Sequence, residues 1–287
     1  MTLIILTVRT RVDLAWSLPR RAWTRRVRGD TISHPAACQP GSPAGATGQS
    51  TPIMFIGHFA VGLGAKRAAP AVSLGTLFLA AQFADLLWPT LVLLGVEKVA
   101  IQPGVTVVAP LDFISYPYSH SLEMLVVWGI LFGAAYLFLR RGPARAAAVI
   151  AAVVVSHWVL DVVAHRPDMP VTVGGDLRLG LGLWNSMAAT LIVENAMLLA
   201  GIYLYLRTTK AIDRTGTYAF WGLIVFLVLI NLGNMFGPPP PSVAAVAWSG
   251  EAIWLLVLWG YWIDRHRTIR KAEPVASNPA RAGEAGT

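Results

Sequence analysis

Four of the six histidines in this 287-residue chain stand at polar points inside apolar, membrane-length segments. They are His58 in MFIGHFAVG, His120 in YPYSHS, and His157 and His165 in SHWVLDVVAHRPD. The last stretch reads H-x3-D-x3-H, with Asp161 at its centre. Residues four apart share a helix face, so His157, Asp161 and His165 make one polar stripe over about two turns. Asp85, in AAQFADLLWP, supplies a second carboxylate within an apolar segment. Ionisable groups inside a bilayer are costly and mark functional sites by default.

Neutral imidazoles and carboxylates are the nitrogen and oxygen ligands of zinc and similar divalent ions. A metal also stabilises buried carboxylates that would otherwise be heavily penalised. The candidate ligands are His58, Asp85, His120, His157, Asp161 and His165, holding one ion or two, with Asp161 or Asp85 bridging in the second case. Zinc is the expected ion, with manganese or iron as alternatives. A metal-bound water has its pKa lowered toward about 7, which generates a nucleophile for hydrolysis. Asp85 or Asp168 then serves as base or orienting group. Asp85, Asp161, Asp168 and Arg166 are the candidate catalytic residues, and Arg166 either binds a phosphate or carboxylate or pairs with Asp168.

These residues need helices to hold them. The chain is 55% hydrophobic and only 13% charged, against about 25% charged in soluble domains, which leaves an integral membrane protein as the class. Apolar segments at about 71–96, 121–139, 144–165, 183–206, 216–236 and 243–263 reach the roughly 20 residues needed to span. A short segment at about 54–66 precedes them. The expected fold is all-α, a polytopic transmembrane helical bundle of about six spanning helices plus a short N-terminal half-helix. Three regions follow: residues 1–53, a disordered basic arm or an over-extended gene start; residues 54–265, the membrane domain; and residues 266–287, a disordered cytoplasmic tail.

The net charge of +8 is not that of a nucleic-acid groove. Seven arginines of the arm (Arg9, Arg11, Arg20, Arg21, Arg25, Arg26, Arg28) against Asp13 and Asp30 carry +5 of it, and the rest is spread over short loops and the tail. Basic connections at Lys66/Arg67, Arg140/Arg141/Arg145, Arg207/Lys210/Arg214 and Arg265/Arg267 alternate with the loops 97–118, 166–182 and 237–242. The positive-inside rule puts the basic set and the C-terminus in the cytoplasm. At 1.5 Å rise per residue, Asp85, His120, His157, Asp161 and His165 then converge on the outer half of the membrane. A site at that depth suits a lipid-like or amphiphilic ester. Cys38 is the only cysteine, so no disulfide framework or thiolate metal site is available.

The remaining polar residues have bland readings. Asp112, Tyr116 and Tyr118, in the outer loop before His120, either line a substrate mouth or stand at the interface as belt residues, the second being the preferred reading, and Ser119 and Ser121 read as helix caps. Glu194, Asn231 and Asn234 read as inter-helix contacts.

The stretches MFIGHFAVGLGAKRAAP, LGTLFLAAQFADLLWP, LDFISYPYSHS, SHWVLDVVAHRPDMP and LGLWNS resemble the YdjM-like family, LexA-regulated inner-membrane metal-dependent hydrolases. The resemblance covers about residues 54–190, more loosely the helices to about 265, and nothing of residues 1–53. The family pattern of an early Gly-His, an intramembrane Asp, a His-Ser after a Pro/Tyr-rich loop and a His-x3-Asp falls on His58, Asp85, His120, His157 and Asp161. It implies a bacterial inner-membrane hydrolase and no particular substrate. Two other classes stay open from the residues themselves: a metal- or proton-coupled transporter, and a non-catalytic membrane protein whose metal staples helices together.

Overall fold

A computed structural model describes residues 56–270. The arm at residues 1–53 and the tail beyond Arg270 lie outside the described residues. The fold is an all-α polytopic helical bundle. Among the described residues, five helices are long and apolar enough to cross a membrane, or six if one bent pair counts as a span.

The elements run α1 (Ile56–Ala68), α2 (Leu74–Ala81), α3 (Phe83–Leu93), β1 (Lys98–Ile101), β2 (Leu111–Ser115), α4 (Pro117–His120), α5 (Leu122–Arg140) and α6 (Ala144–Ala164). There follow β3 (Met169–Pro170), β4 (Arg178–Leu179), α7 (Met187–Thr208), β5 (Thr209–Ala211), α8 (Arg214–Phe236), α9 (Val243–Glu251), α10 (Ile253–Arg265) and β6 (Arg267–Ile269).

The expected segment 71–96 is two helices meeting at 54°. Ser73 caps α2 through Thr76 N, and the ladder breaks at Gln82. Pro89 lies inside α3, seven residues past the break, so it is not the cause. The Ala81 carbonyl instead accepts a side-chain hydrogen bond from His157, a group inserted into the ladder where the helix turns.

Small residues let the helices approach closely, as in membrane bundles generally. A Cβ on Gly201 of α7 would lie 2.5 Å from the Ala60 carbonyl of α1. One on Gly129 of α5 would lie 2.9 Å from the Ala151 carbonyl of α6. Two apolar cores result. One joins α2, α3, α5 and α6 to the hairpin β1–β2 and Trp184; the other joins α1, α2, α7, α8 and α10.

The basic connections gather at one end of the bundle. Lys66 pairs with Asp264, linking the C-terminal ends of α1 and α10. Arg67 and Arg145 line one cavity between the α1–α2 and α5–α6 connections. Strands β5 and β6 pair antiparallel, so the tail is folded as far as Ile269, past the expected boundary at 265.

The connections expected as plain loops at the opposite end carry structure. Residues 98–115 form the antiparallel hairpin β1–β2, and β3 pairs with β4. The two regions meet where Val108 N donates to the Trp184 carbonyl at 3.0 Å, in a short 3-10 turn at Leu183–Asn185. Phe113 of β2 packs against His165 at the end of α6, with ring centroids 4.9 Å apart.

Candidate metal centre

Each side chain of the centre arrives from a different element. His58 stands in the first turn of α1, and Asp85 in the first turn of α3, just beyond the break. His120 ends the one-turn helix α4, which Pro117 starts and Ser121 terminates by becoming the N-cap of α5. His157 and Asp161 sit one turn apart on the buried face of α6.

The side chains meet in a space of a few ångströms. His157 Nε2 is 3.2 Å from Asp161 Oδ2 and 3.7 Å from Asp85 Oδ1. His120 Nε2 is 3.6 Å from Asp85 Oδ1 and 3.7 Å from Asp161 Oδ2. His58 Nε2 is 3.3 Å from Asp161 Oδ1, and its ring stacks on His157 at 3.9 Å between centroids. Two overlapping groups, His58/His157/Asp161 and Asp85/His120/His157, have the spacing of metal ligands and share His157.

The contacts of Asp161 with His157 at 3.2 Å and His58 at 3.3 Å suit hydrogen bonds as well as metal ligands, whereas those of Asp85 suit ligands better. Hydrogen bonds need about 2.7–3.2 Å, so the contacts of Asp85 at 3.6 and 3.7 Å are too long. Nitrogen and oxygen ligands at about 2.0–2.1 Å from a tetrahedral zinc stand about 3.3 Å apart. The separations of 3.2–3.7 Å scatter around that edge. His157 Nε2 is buried and lies 3.2 Å from Asp161 Oδ2 without the geometry of a hydrogen bond, an arrangement a metal ion would satisfy.

The opposite ring nitrogens are held from outside. His157 Nδ1 lies 2.8 Å from the Ala81 carbonyl. His120 Nδ1 lies 2.7 Å from Ser119 Oγ, which donates to Glu97 Oε2 at 2.6 Å. Ligating histidines are oriented in this way in metal sites generally.

His165 stands apart from the two groups. It is the C-cap residue of α6, and its Nδ1 bonds Asp168 Oδ1 at 2.9 Å. It shares with Asp85, Trp88, Phe113, His120 and Asp161 a cavity of about 20 Å³, enough for about one water. His165 is thus placed at the mouth of the centre and not among its convergent ligand atoms.

Arg166 and Asp168 form a layer behind His165. Arg166 Nε donates to Asp168 Oδ2 at 2.9 Å, and its Nη2 donates to Asp112. With two carboxylates already bound, the guanidinium holds the hairpin loops together, which favours the loop-pairing reading over phosphate binding. Tyr116 is fully buried, not an interfacial belt residue, and donates its hydroxyl to Asp168 at 3.2 Å. Burial works to raise the pKa of Asp168. The hydrogen bond and charge of His165, then those of Arg166, outweigh it and hold the carboxyl below its ordinary range.

Ser121 caps α5, accepting from Met124 N at 3.2 Å. Ser119, also expected as a cap, is instead tied to Glu97 and His120. Glu97 was not among the expected site residues. In the sequence it is a lone acid beside Lys98 at a helix end, the pattern of a solvated charge. Its burial follows from folding of the β1–β2 hairpin, which no local pattern announces. Glu194 and Asn231 are buried at a separate inter-helix position near Ile56, outside both ligand groups.

Fold and site together define a multi-pass helical membrane protein with a buried His/Asp group able to hold a metal ion. No family model, no curated protein and no solved structure matches this chain.

Proposed function

We propose that the protein is a membrane-embedded metal-dependent hydrolase of the kind its motifs resemble. The observation that carries this reading is the convergence of His120 and His157 Nε2 with the carboxylates of Asp85 and Asp161 beside a water-sized cavity. His120, His157, Asp85 and Asp161, with His58 against Asp161, hold a divalent ion, and the nitrogen/oxygen donor set suits zinc. Such an ion, when bound, lowers the pKa of a coordinated water and polarises a scissile ester.

The chain's own groups do the rest. Asp168 fixes the His165 ring through Nδ1 and leaves Nε2 as the nitrogen that can take a proton from a group in the cavity. Trp88 and Phe113 wall the cavity and limit bulk water. With the basic end cytoplasmic, the site lies near the outer face of the bacterial inner membrane, where an amphiphilic or lipid-linked ester, such as a phosphoester, is within reach.

Purified wild-type protein, His157→Ala and Asp161→Asn, each exposed to the same zinc concentration in detergent, are incubated with amphiphilic phosphodiesters and carboxylic esters. Zinc-dependent turnover by wild type alone is expected; absence of turnover on both ester classes sinks the hydrolase. One observation favours transport instead, namely the broken span α2–α3, since discontinuous helices mark transporter sites. Zinc uptake by proteoliposomes without hydrolysis would establish that reading.

A further inference from the structure

Taking the proposed metal centre as given, we infer that Glu97 and Ser119 are positioning residues that set the tautomer of His120 and aim its Nε2 at the ion. Glu97 is 1% exposed and accepts three hydrogen bonds. Its Oε1 takes the backbone amides of Tyr118 at 2.8 Å and Ser119 at 2.9 Å. Its Oε2 takes the Ser119 hydroxyl at 2.6 Å.

The serine has one hydroxyl proton, and the carboxylate holds it. Ser119 Oγ can therefore only accept from the ring nitrogen 2.7 Å away, so His120 Nδ1 carries the proton. Its Nε2 is left as a lone pair, and that atom faces Asp85 and Asp161. A metal takes the neutral imidazole, so the relay prepares a ligand before any ion arrives. Glu97 also sits at the foot of the β1–β2 hairpin, where the pairing of Lys98 with Ser115 brings its carboxylate to residues 118 and 119.

Glu97→Gln reverses the polarity at constant size. Two amide donors keep the glutamine oxygen on Tyr118 N and Ser119 N, so its NH2 faces Ser119 Oγ and donates to it. The serine then donates to His120 Nδ1, and the proton moves to Nε2, where it blocks the metal. Ser119→Ala only removes the constraint.

The test uses the full chain in detergent. Cobalt affinity is measured by chelator competition for wild type, Glu97→Gln and Ser119→Ala. The tautomer of His120 is read from 15N shifts of labelled histidines in the metal-free proteins, assigned with His120→Gln. Loss of about 10- to 100-fold in affinity is expected for Glu97→Gln, the range for groups that orient ligands, and a smaller loss for Ser119→Ala. The wild-type shift should report a protonated Nδ1, and the Glu97→Gln shift a protonated Nε2. Affinities within threefold of wild type for both variants, or a wild-type ring protonated on Nε2, overturn the relay. If Glu97→Gln does not fold, Ser119→Ala and the wild-type shift decide. If wild type takes up no cobalt, the metal reading fails, while the shifts still test the tautomer.

Discussion

His157 gives its Nδ1 proton to the carbonyl of Ala81, 2.8 Å away, at the break between α2 and α3. A carbonyl can only accept, so the contact fixes the ring's tautomer as well as its orientation. It leaves Nε2 turned toward Asp161 and Asp85. The bend of one helix and the aim of a ligand on another are thus a single feature. Asp85 lies four residues past Ala81, so the same bend also sets where the second carboxylate enters.

The centre should stabilise the fold when filled. Zinc at about 100 times its Kd adds about 2.7 kcal/mol to a protein that binds it only when folded. Thermal unfolding of wild type in detergent should shift upward on adding zinc. Asp161→Asn, which keeps the size of the side chain and loses its charge, should show no shift. Equal shifts in both proteins would mean that zinc binds elsewhere.

Asp168 carries a pH signature. Its folded pKa is depressed, so its contribution is present above the unfolded value of about 3.8 and is lost as pH falls through the folded value. Asp168→Asn should therefore cost about 1–3 kcal/mol at pH 7, the range for hydrogen bonds to a buried charged group. The gap to wild type should narrow when unfolding is repeated below pH 3.8. A gap that is the same at both pH values would remove the charge from the explanation.

The seat of α1 is set by Gly201. Alanine there would place a Cβ 2.5 Å from the Ala60 carbonyl, a backbone atom that cannot swing aside. Alanine at Gly64 would meet only Leu204 Cδ1 at 3.4 Å, an ordinary contact. Gly201→Ala should lower the melting temperature and weaken zinc binding by moving His58, at a cost of about 1–3 kcal/mol for an overpacked site. Gly64→Ala should do neither, and equal effects of the two would contradict the packing account.

At the other end of α1, Lys66 Nζ lies 3.0 Å from Asp264 Oδ2, with side-chain exposures of 6% and 16%. Asp264→Asn strands a buried ammonium and should cost about 3–5 kcal/mol, whereas Lys66→Met replaces the cation with an apolar chain and should cost less. Chemical denaturation of the two variants checks the order.

Much of this arrangement was legible in the sequence. The i, i+4 spacing of His157 and Asp161 placed both on one face of α6, because helix periodicity is a local property. The apolar segments gave a bundle of five or six spanning helices, and the alternation of basic and neutral connections put Asp85 and His120 at the level of that stripe. The break at Gln82 was not legible, because its cause is a side chain 75 residues later acting on a backbone carbonyl. Glu97 was hidden for a related reason: its three donors come from residues 118 and 119 only after the hairpin has formed. His165 fits the period of the stripe, but α6 ends at Ala164, so its ring follows the loop to Asp168 instead of the helix face.

The proposed metal centre comprises His58, Asp85, His120, His157 and Asp161, with His157 common to both ligand groups. The most direct measurement is the zinc content of purified wild-type protein and His157→Ala after loading and exhaustive dialysis. About one tightly held ion per wild-type chain, and almost none in the variant, is the predicted result for a site with a shared nitrogen ligand. Equal zinc in the two proteins, or none in wild type, would contradict it.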